Sequence, residues 1–179
     1  MDKHMRTRRL TTDAMFLCAA MMLAFLESLL PPLPVPGVKL GLANLAVLCC
    51  VYGVGLADGA AVAVIRWLVM GMLFGSGTSM LFSLAGTVGV LAMLCLLRLT
   101  VRIHGGRLSF AGISVLTALA HNLGQLFCAS LLYGWGREIL LVYGGGLVLF
   151  GTACGTLTGW LCNLLFRRFG EFSRGLQNT

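Results

Sequence analysis

Three strong hydrogen-bonding side chains interrupt one of the long apolar runs of this chain. They stand within the segment TALAHNLGQLF, which begins at residue 117. A helix turns by 100° per residue, so His121, Asn122 and Gln125 would fall within one 100° arc. Such a polar stripe either faces a ligand or joins neighbouring helices through hydrogen bonds. Both interpretations stay open on the sequence alone.

Four more polar residues stand in or beside apolar runs. An arginine facing lipid near the middle of a span would cost at least about 2.5 kcal/mol, so Arg66 is expected to face inward. It either anchors an anionic or carbonyl-bearing ligand or pairs with Glu27, the only acid inside a predicted span. Lys39 and Asn44, at the start of the second predicted span, are expected to face the same space. Together with the polar stripe, these side chains predict a pocket open to the outside of the membrane.

The elements that must position these residues are membrane helices. The chain has 179 residues, of which 58% are hydrophobic and 11% charged, and its mean hydropathy is +0.92. A soluble domain of this length needs far more polar surface. We therefore predict an all-α polytopic membrane protein with six transmembrane helices, because the apolar runs approach the ~20 residues that cross a bilayer. The predicted spans are 14–30, 40–56, 59–74, 79–97, 110–133 and 139–166.

The basic residues predict the orientation of these spans. Six spans place three segments on the same side of the membrane: the amino terminus, the loop after residue 97 and the tail. These segments carry 4, 3 and 3 basic residues, which are ten of the 13 in the chain. Basic loops stay cytoplasmic, so both termini are expected in the cytoplasm and the protein in the cytoplasmic membrane of a bacterium. The predicted organisation is a basic amino terminus (1–13), a membrane domain (14–166) with a retained first helix, and a basic tail (167–179). The net charge of +7 is therefore no sign of nucleic-acid binding.

The last predicted span is too long for a straight crossing. Its 28 residues would extend about 42 Å at 1.5 Å per residue. The three consecutive glycines at 144–146 are therefore expected to break the helix, with the preceding residues near the outer surface.

Residue patterns of enzymes and metal sites are missing from the sequence. The seven cysteines all fall inside spans without a CxxC pair, which favours packing over disulfides or metal binding. The sequence contains neither a Walker motif nor a nucleophile beside a base. We therefore predict no catalytic residue, no metal and no cofactor, and expect any ATP-driven step to come from partner proteins.

Three ordered blocks resemble the Gx transporter family, also called heptaprenyl diphosphate synthase component I. They are PGVKLGLANLAVL, RWLVMGMLFGSGTSMLFSLAG and AHNLGQL, and the resemblance extends from about Ala14 to Phe166. That family is similar to the S components of energy-coupling factor (ECF) transporters, small six-helix proteins that bind vitamins or metal ions. The resemblance implies that this chain captures a small solute for partner proteins. These partners would be a transmembrane coupling protein and two ATPase subunits. It also implies that Ala20 and Ala24, an AxxxA pattern, contact the coupling protein.

The second family name implies a different function. Prenyl diphosphate synthases hold magnesium through clustered aspartates, because Mg²⁺ prefers carboxylate oxygens beside the phosphates. The six acids of this chain are isolated and no DDxxD motif occurs. A catalytic synthase is thus not expected. A non-catalytic accessory subunit in heptaprenyl diphosphate or quinone biosynthesis stays an alternative, as does a solitary transporter or membrane scaffold.

Overall fold

The computed structural model describes residues 3–29, 42–74, 77–104, 109–134 and 136–177. These residues form six helices and confirm the predicted all-α membrane fold. The helices are α1 (Lys3–Ser28), α2 (Leu42–Gly53), α3 (Leu56–Phe74), α4 (Gly77–His104), α5 (Phe110–Tyr133) and α6 (Arg137–Gln177).

Five of these helices are long and apolar enough to cross a membrane, and α2 is the exception. Large apolar side chains such as Met72, Val142 and Leu149 are about three-quarters exposed, as expected of a lipid-facing surface. The twelve residues of α2 extend only about 18 Å, against a hydrocarbon core of about 30 Å. The helix ends at Gly53, three residues before the predicted end of this span.

The predicted break in the last span was wrong. Residues 144–146 are helical, and α6 continues without interruption for 41 residues. A break would expose backbone amides and carbonyls, which find no water in hydrocarbon, so glycine stays helical there. The excess length is accommodated at the ends instead, because α6 continues into the basic tail and α1 begins at Lys3 within the basic amino terminus.

Glycines let the second half of the bundle pack closely. Along α6, Gly151, Gly155 and Gly159 stand four residues apart and face α5. A Cβ added at Gly155 would lie 2.7 Å from Val115 Cα, a distance that real Cβ atoms do not reach. Small residues at this spacing allow two membrane helices to approach until their backbones touch. Between the same helices, the hydroxyl groups of Ser114 and Thr158 are 2.7 Å apart and share a hydrogen bond.

In the first half of the chain, α1 and α3 pack against α2, whose residues from Leu45 to Cys50 are all buried. One end of this group is joined by an ion pair in which Arg9 of α1 donates two hydrogen bonds to Asp58 of α3, 2.9 and 2.5 Å long. The seven cysteines are free, and four of them are buried, in line with a packing role for those four. Cys49 and Cys162 lie 3.5 Å apart, sulfur to sulfur, where α2 meets α6.

Candidate ligand-binding site

A cavity of about 180 Å³ lies between five helices, at the end of the bundle where α1 and α3 end and α4 begins. We call it the main cavity because of its polar lining, although a larger and mostly apolar space of about 590 Å³ lies at the opposite end of the bundle. Its polar lining residues are Glu27 and Ser28 of α1, Asn44 of α2, Arg66 of α3, Ser79 and Ser83 of α4, and His121 of α5. Four of these are among the residues singled out in the sequence: Glu27, Asn44, Arg66 and His121. The fold thus brings together side chains that are up to 94 positions apart in the chain.

Arg66 brings an incompletely paired cation into this cavity. Its Nε atom is buried and has no hydrogen-bond partner among the described residues. A buried donor left without a partner costs about 1–3 kcal/mol, and more when the group is charged. Arg66 therefore lines the cavity as a cation whose buried Nε the described residues leave unsatisfied.

The nearest acid does not complete the pairing of Arg66. Glu27 lies close enough to exert a Coulombic attraction on the guanidinium. Yet the direct ion pair found between described residues joins Arg9 to Asp58, not Glu27 to Arg66. The two opposite charges therefore line one cavity without contacting each other.

The wall beside Arg66 is held by contacts between α3 and α4. The indole Nε1 of Trp67 donates a hydrogen bond of 3.1 Å to the backbone carbonyl of Met80. One turn further on, Gly71 lies against Met80, where an added Cβ would be 2.8 Å from the methionine Cγ. Because the indole donor is already bonded, Trp67 offers the cavity ring surface rather than a hydrogen bond.

His121 reaches the main cavity because α4 provides glycines opposite it. A Cβ at Gly86 would collide with the imidazole ring, and one at Gly89 would collide with the carbonyl oxygen of Ala120. On α5 itself, Gly124 lies against the carbonyl of Ala85. These glycines were not predicted as parts of the site. The signal for them was the spacing of Gly86 and Gly89, three residues apart on an apolar helix.

The other two members of the predicted stripe point elsewhere. Asn122 is 6% exposed, and its amide nitrogen donates a hydrogen bond of 3.0 Å to the carbonyl of Leu147 on α6. Gln125 is 8% exposed and lines neither cavity described here. Its Oε1 is buried without a partner among the described residues. The arc therefore splits, with His121 at the cavity and Asn122 joining helices.

A second and smaller space lies behind the main cavity. This small chamber of about 30 Å³ is lined by Ser114, Thr117 and Asn122 of α5 and by Thr158 of α6. It shares Asn44 and His121 with the main cavity, so these two side chains stand between the two spaces. A volume of this size holds about two water molecules.

The predicted contact residues for a partner require a correction. Ala20 is completely buried inside its own chain, in a cluster with Ala46, Val47 and Val62. A partner helix cannot touch it in this conformation. Ala24 lies one turn further on and lines the main cavity. Ala20 therefore packs α1 on α2 and α3, whereas Ala24 borders the cavity. Lys39 lies outside the described residues.

No metal-binding cluster occurs in the part of the chain that the structure describes. Nowhere there do three histidine, cysteine, aspartate or glutamate side chains lie close enough to hold an ion. The donors around the main cavity are amide, hydroxyl, imidazole and guanidinium groups with a single carboxylate. This composition suits an organic ligand with polar groups better than a bare cation.

Comparison with known proteins supports both resemblances seen in the sequence. A solved structure, described as that of the S component of a bacterial ECF transporter, has the same fold with a TM-score of 0.67. The two chains are 18% identical over 93% of this chain and 98% of the other. No curated protein sequence matches the chain. The family model described as heptaprenyl diphosphate synthase component I matches residues 16–165, most of the chain. The chain therefore belongs to that family.

Proposed function

We propose that this protein is the substrate-binding membrane subunit of an ECF-type importer and captures a small organic solute in the main cavity. In this proposal the chain catalyses no reaction itself. A transmembrane coupling protein and two ATPase subunits would supply the energy for uptake. The S-component fold supports this assignment, since the solved structure with that fold comes from such a transporter.

The observation that carries the proposal is the buried Nε of Arg66 without a partner. A purely structural arginine in a membrane protein is expected to be paired with an acid or with carbonyl groups. Here the nearby acid attracts it without contact, and the space beside it is a cavity of about 180 Å³. A ligand with an anionic or acceptor group would find a cationic partner in Arg66, which lines this cavity. We therefore favour the ligand anchor over the structural ion pair.

The basic residues support an outward-facing cavity. Arg9, Asp58 and Arg98 belong to the end of the bundle opposite the main cavity. If basic segments lie in the cytoplasm, that end is cytoplasmic and the main cavity opens to the outside. Both termini would then be cytoplasmic, with the membrane domain between residues 14 and 166. In this proposal the protein lies in the cytoplasmic membrane of a bacterium.

Asn44 and His121 are proposed as further ligand contacts, because both line the main cavity. Glu27 is proposed as a contact for a donor group of the ligand. Lys39 stays a prediction from the sequence. We do not assign ligand contact to Gln125, and Asn122 would touch only what enters the small chamber.

The test is gentle affinity purification of the tagged protein from its own membranes, with mass spectrometry of the proteins and small molecules that accompany it. We expect a coupling protein and paired ATPase subunits, together with an enriched small molecule. Arg66→Ala should keep the protein partners and lose the small molecule. Arg98→Ala, at an exposed arginine of the opposite end, is the matched control and should keep both.

The alternative function gives a different result in the same experiment. A soluble prenyl diphosphate synthase subunit in place of the ATPases would identify an accessory subunit and overturn the importer proposal. Retention of the small molecule by Arg66→Ala would reduce Arg66 to a structural residue. If neither a protein partner nor a small molecule co-purifies, the result favours a solitary membrane scaffold.

A further inference from the structure

We infer that the small chamber binds one or two water molecules, which donate hydrogen bonds to hydroxyl groups of α5 and α6. This water joins the two helices to α2 and forms the floor of the main cavity, since Asn44 and His121 line both spaces. The inference concerns only the space behind the main cavity, so it stands apart from the proposed function.

The small chamber is polar and deeply buried. Six of its ten described lining residues carry polar side chains. Ser114, Thr117 and Thr158 are each at most 5% exposed. Apolar cavities stay dry, whereas a polar cavity holds water if it has room for the molecule and offers it two to four partners. A volume of about 30 Å³ with this lining meets both conditions.

The three hydroxyl groups of the chamber have already used their protons. Thr117 donates its proton to the backbone carbonyl of Ile113, 2.9 Å away. Thr158 donates to the carbonyl of Cys154, also 2.9 Å away. The proton in the 2.7 Å bond between Ser114 and Thr158 then comes from Ser114. A hydroxyl group has one proton and two lone pairs, so only lone pairs remain. An occupant of this side must therefore donate hydrogen bonds.

Amide side chains offer the remaining partners of a water molecule. The Nδ2 of Asn122 donates one proton to the carbonyl of Leu147 over 3.0 Å, which leaves its second proton and Oδ1 for other bonds. Asn44 of α2 lines the chamber as well and carries the same groups. Water both donates and accepts, so it can donate to the hydroxyl oxygens while it accepts from an amide. It thereby joins α2 to α5 and α6.

The charges around the chamber favour water over a cation. A sodium or ammonium ion would also suit oxygen lone pairs. The described lining of the chamber contains no acid, however, and the main cavity beside it carries one charge of each sign, Glu27 and Arg66. A buried charge without an opposite partner is costly, so a cation is disfavoured here. Water supplies two protons without that cost.

The first test removes one acceptor from the chamber. Thr117→Val keeps the shape of the side chain and loses only its hydroxyl group. Thr87→Val is the matched control, because Thr87 is also buried and donates to the carbonyl four residues earlier, over 2.8 Å, but lines neither the main cavity nor the small chamber. In a dry chamber the Thr117 oxygen has unsatisfied lone pairs, so its removal should be neutral or stabilising, as in the control. If water is bound there, removal breaks a hydrogen bond.

The unfolding equilibrium of the full chain is measured in detergent micelles with increasing sodium dodecyl sulfate. We expect Thr117→Val to shift this equilibrium toward the unfolded state about 2- to 12-fold more than Thr87→Val, the equivalent of one hydrogen bond.

A crystal structure of the wild-type full chain, at a resolution that shows ordered water, is the direct test. We expect one or two density peaks within about 3 Å of the hydroxyl oxygens of the chamber. The midpoint temperature of thermal unfolding should be the same in sodium chloride and in choline chloride of equal ionic strength, because water binding does not depend on sodium.

Three results would overturn the inference. One is a crystal structure in which the chamber holds no density. Another is a midpoint temperature that rises with sodium chloride but not with choline chloride, which would identify a cation site. The third is a loss of stability in Thr117→Val no greater than that in Thr87→Val. None of these measurements involves the partner proteins or the solute, so each result leaves the importer proposal as it stands.

Discussion

Because Ala20 is buried, we predict that enlarging its side chain destabilises the packing of α1 inside the bundle. Ala20→Leu adds three carbon atoms at a position with 0% exposure, among small side chains of α2 and α3. Overfilling a packed core typically costs about 1–3 kcal/mol. The neighbouring Ala19 is exposed, 100° around the helix, so Ala19→Leu should change the free energy of unfolding by less than about 0.5 kcal/mol.

The assay is unfolding of the micelle-solubilised protein by increasing sodium dodecyl sulfate, followed by tryptophan fluorescence. A loss of 1–3 kcal/mol corresponds to about a 5- to 150-fold shift in the unfolding equilibrium. We expect this shift for Ala20→Leu and a midpoint like that of the wild type for Ala19→Leu. The opposite order would mean that α1 presents its AxxxA pattern outward, and the original expectation of a partner contact at Ala20 would return.

Three further predictions concern contacts between helices. Gly155→Ala should destabilise the protein by about 1–3 kcal/mol in the same assay, because the added Cβ meets the backbone of α5. In the control Gly145→Ala the added Cβ meets nothing within 4 Å, so this variant should be neutral or stabilising. Equal effects of the two variants would contradict close packing of α5 on α6. Asn122→Leu should cost about 1–3 kcal/mol, since the bond to the carbonyl of α6 is lost, and an unchanged midpoint would refute that role. A double-mutant cycle of Arg9→Ala and Asp58→Ala should give a weak coupling that falls with salt, because Arg9 is half exposed. A strong coupling that does not change with salt would contradict this.

The number of helices could be predicted from the sequence, but not the length of each. Hydropathy locates apolar segments because every spanning helix must satisfy its own backbone in lipid. It does not distinguish a spanning helix from α2, a short helix whose seven residues Ala43 and 45–50 are buried inside the bundle. Protein surroundings and lipid are both apolar, so burial in either produces the same pattern.

The glycines of α6 show the limit of a rule taken from soluble proteins. In water, glycine weakens a helix because the unfolded backbone is solvated and flexible. Inside a membrane that alternative is missing, and residues 144–146 stay helical. The same residue type has another role at Gly155, where it removes a side chain from a helix contact. Spacing, here four residues between successive glycines, distinguishes the contact positions better than the presence of a glycine cluster.

Small residues in α1 were assigned to the wrong neighbour for a related reason. A small-xxx-small pattern predicts a close helix crossing but contains no information about which helix crosses. In this chain α2 and α3 occupy that position beside Ala20. The identity of the neighbour depends on the arrangement of all six helices, which hydropathy does not determine.

The polar stripe of α5 does not stay together in the structure, because α5 lies between two neighbouring helices. The arc of His121, Asn122 and Gln125 is 100° wide, and a helix packed on both sides can divide that width between α4 and α6. His121 faces the glycines of α4 and the main cavity, while Asn122 is bonded to α6. Arg66 predicted the position of the cavity better than this stripe did, since a charged side chain in the middle of a span is costly to expose to lipid and must face the inside of the bundle. The structure places Arg66 at the main cavity, with its buried Nε left without a partner among the described residues.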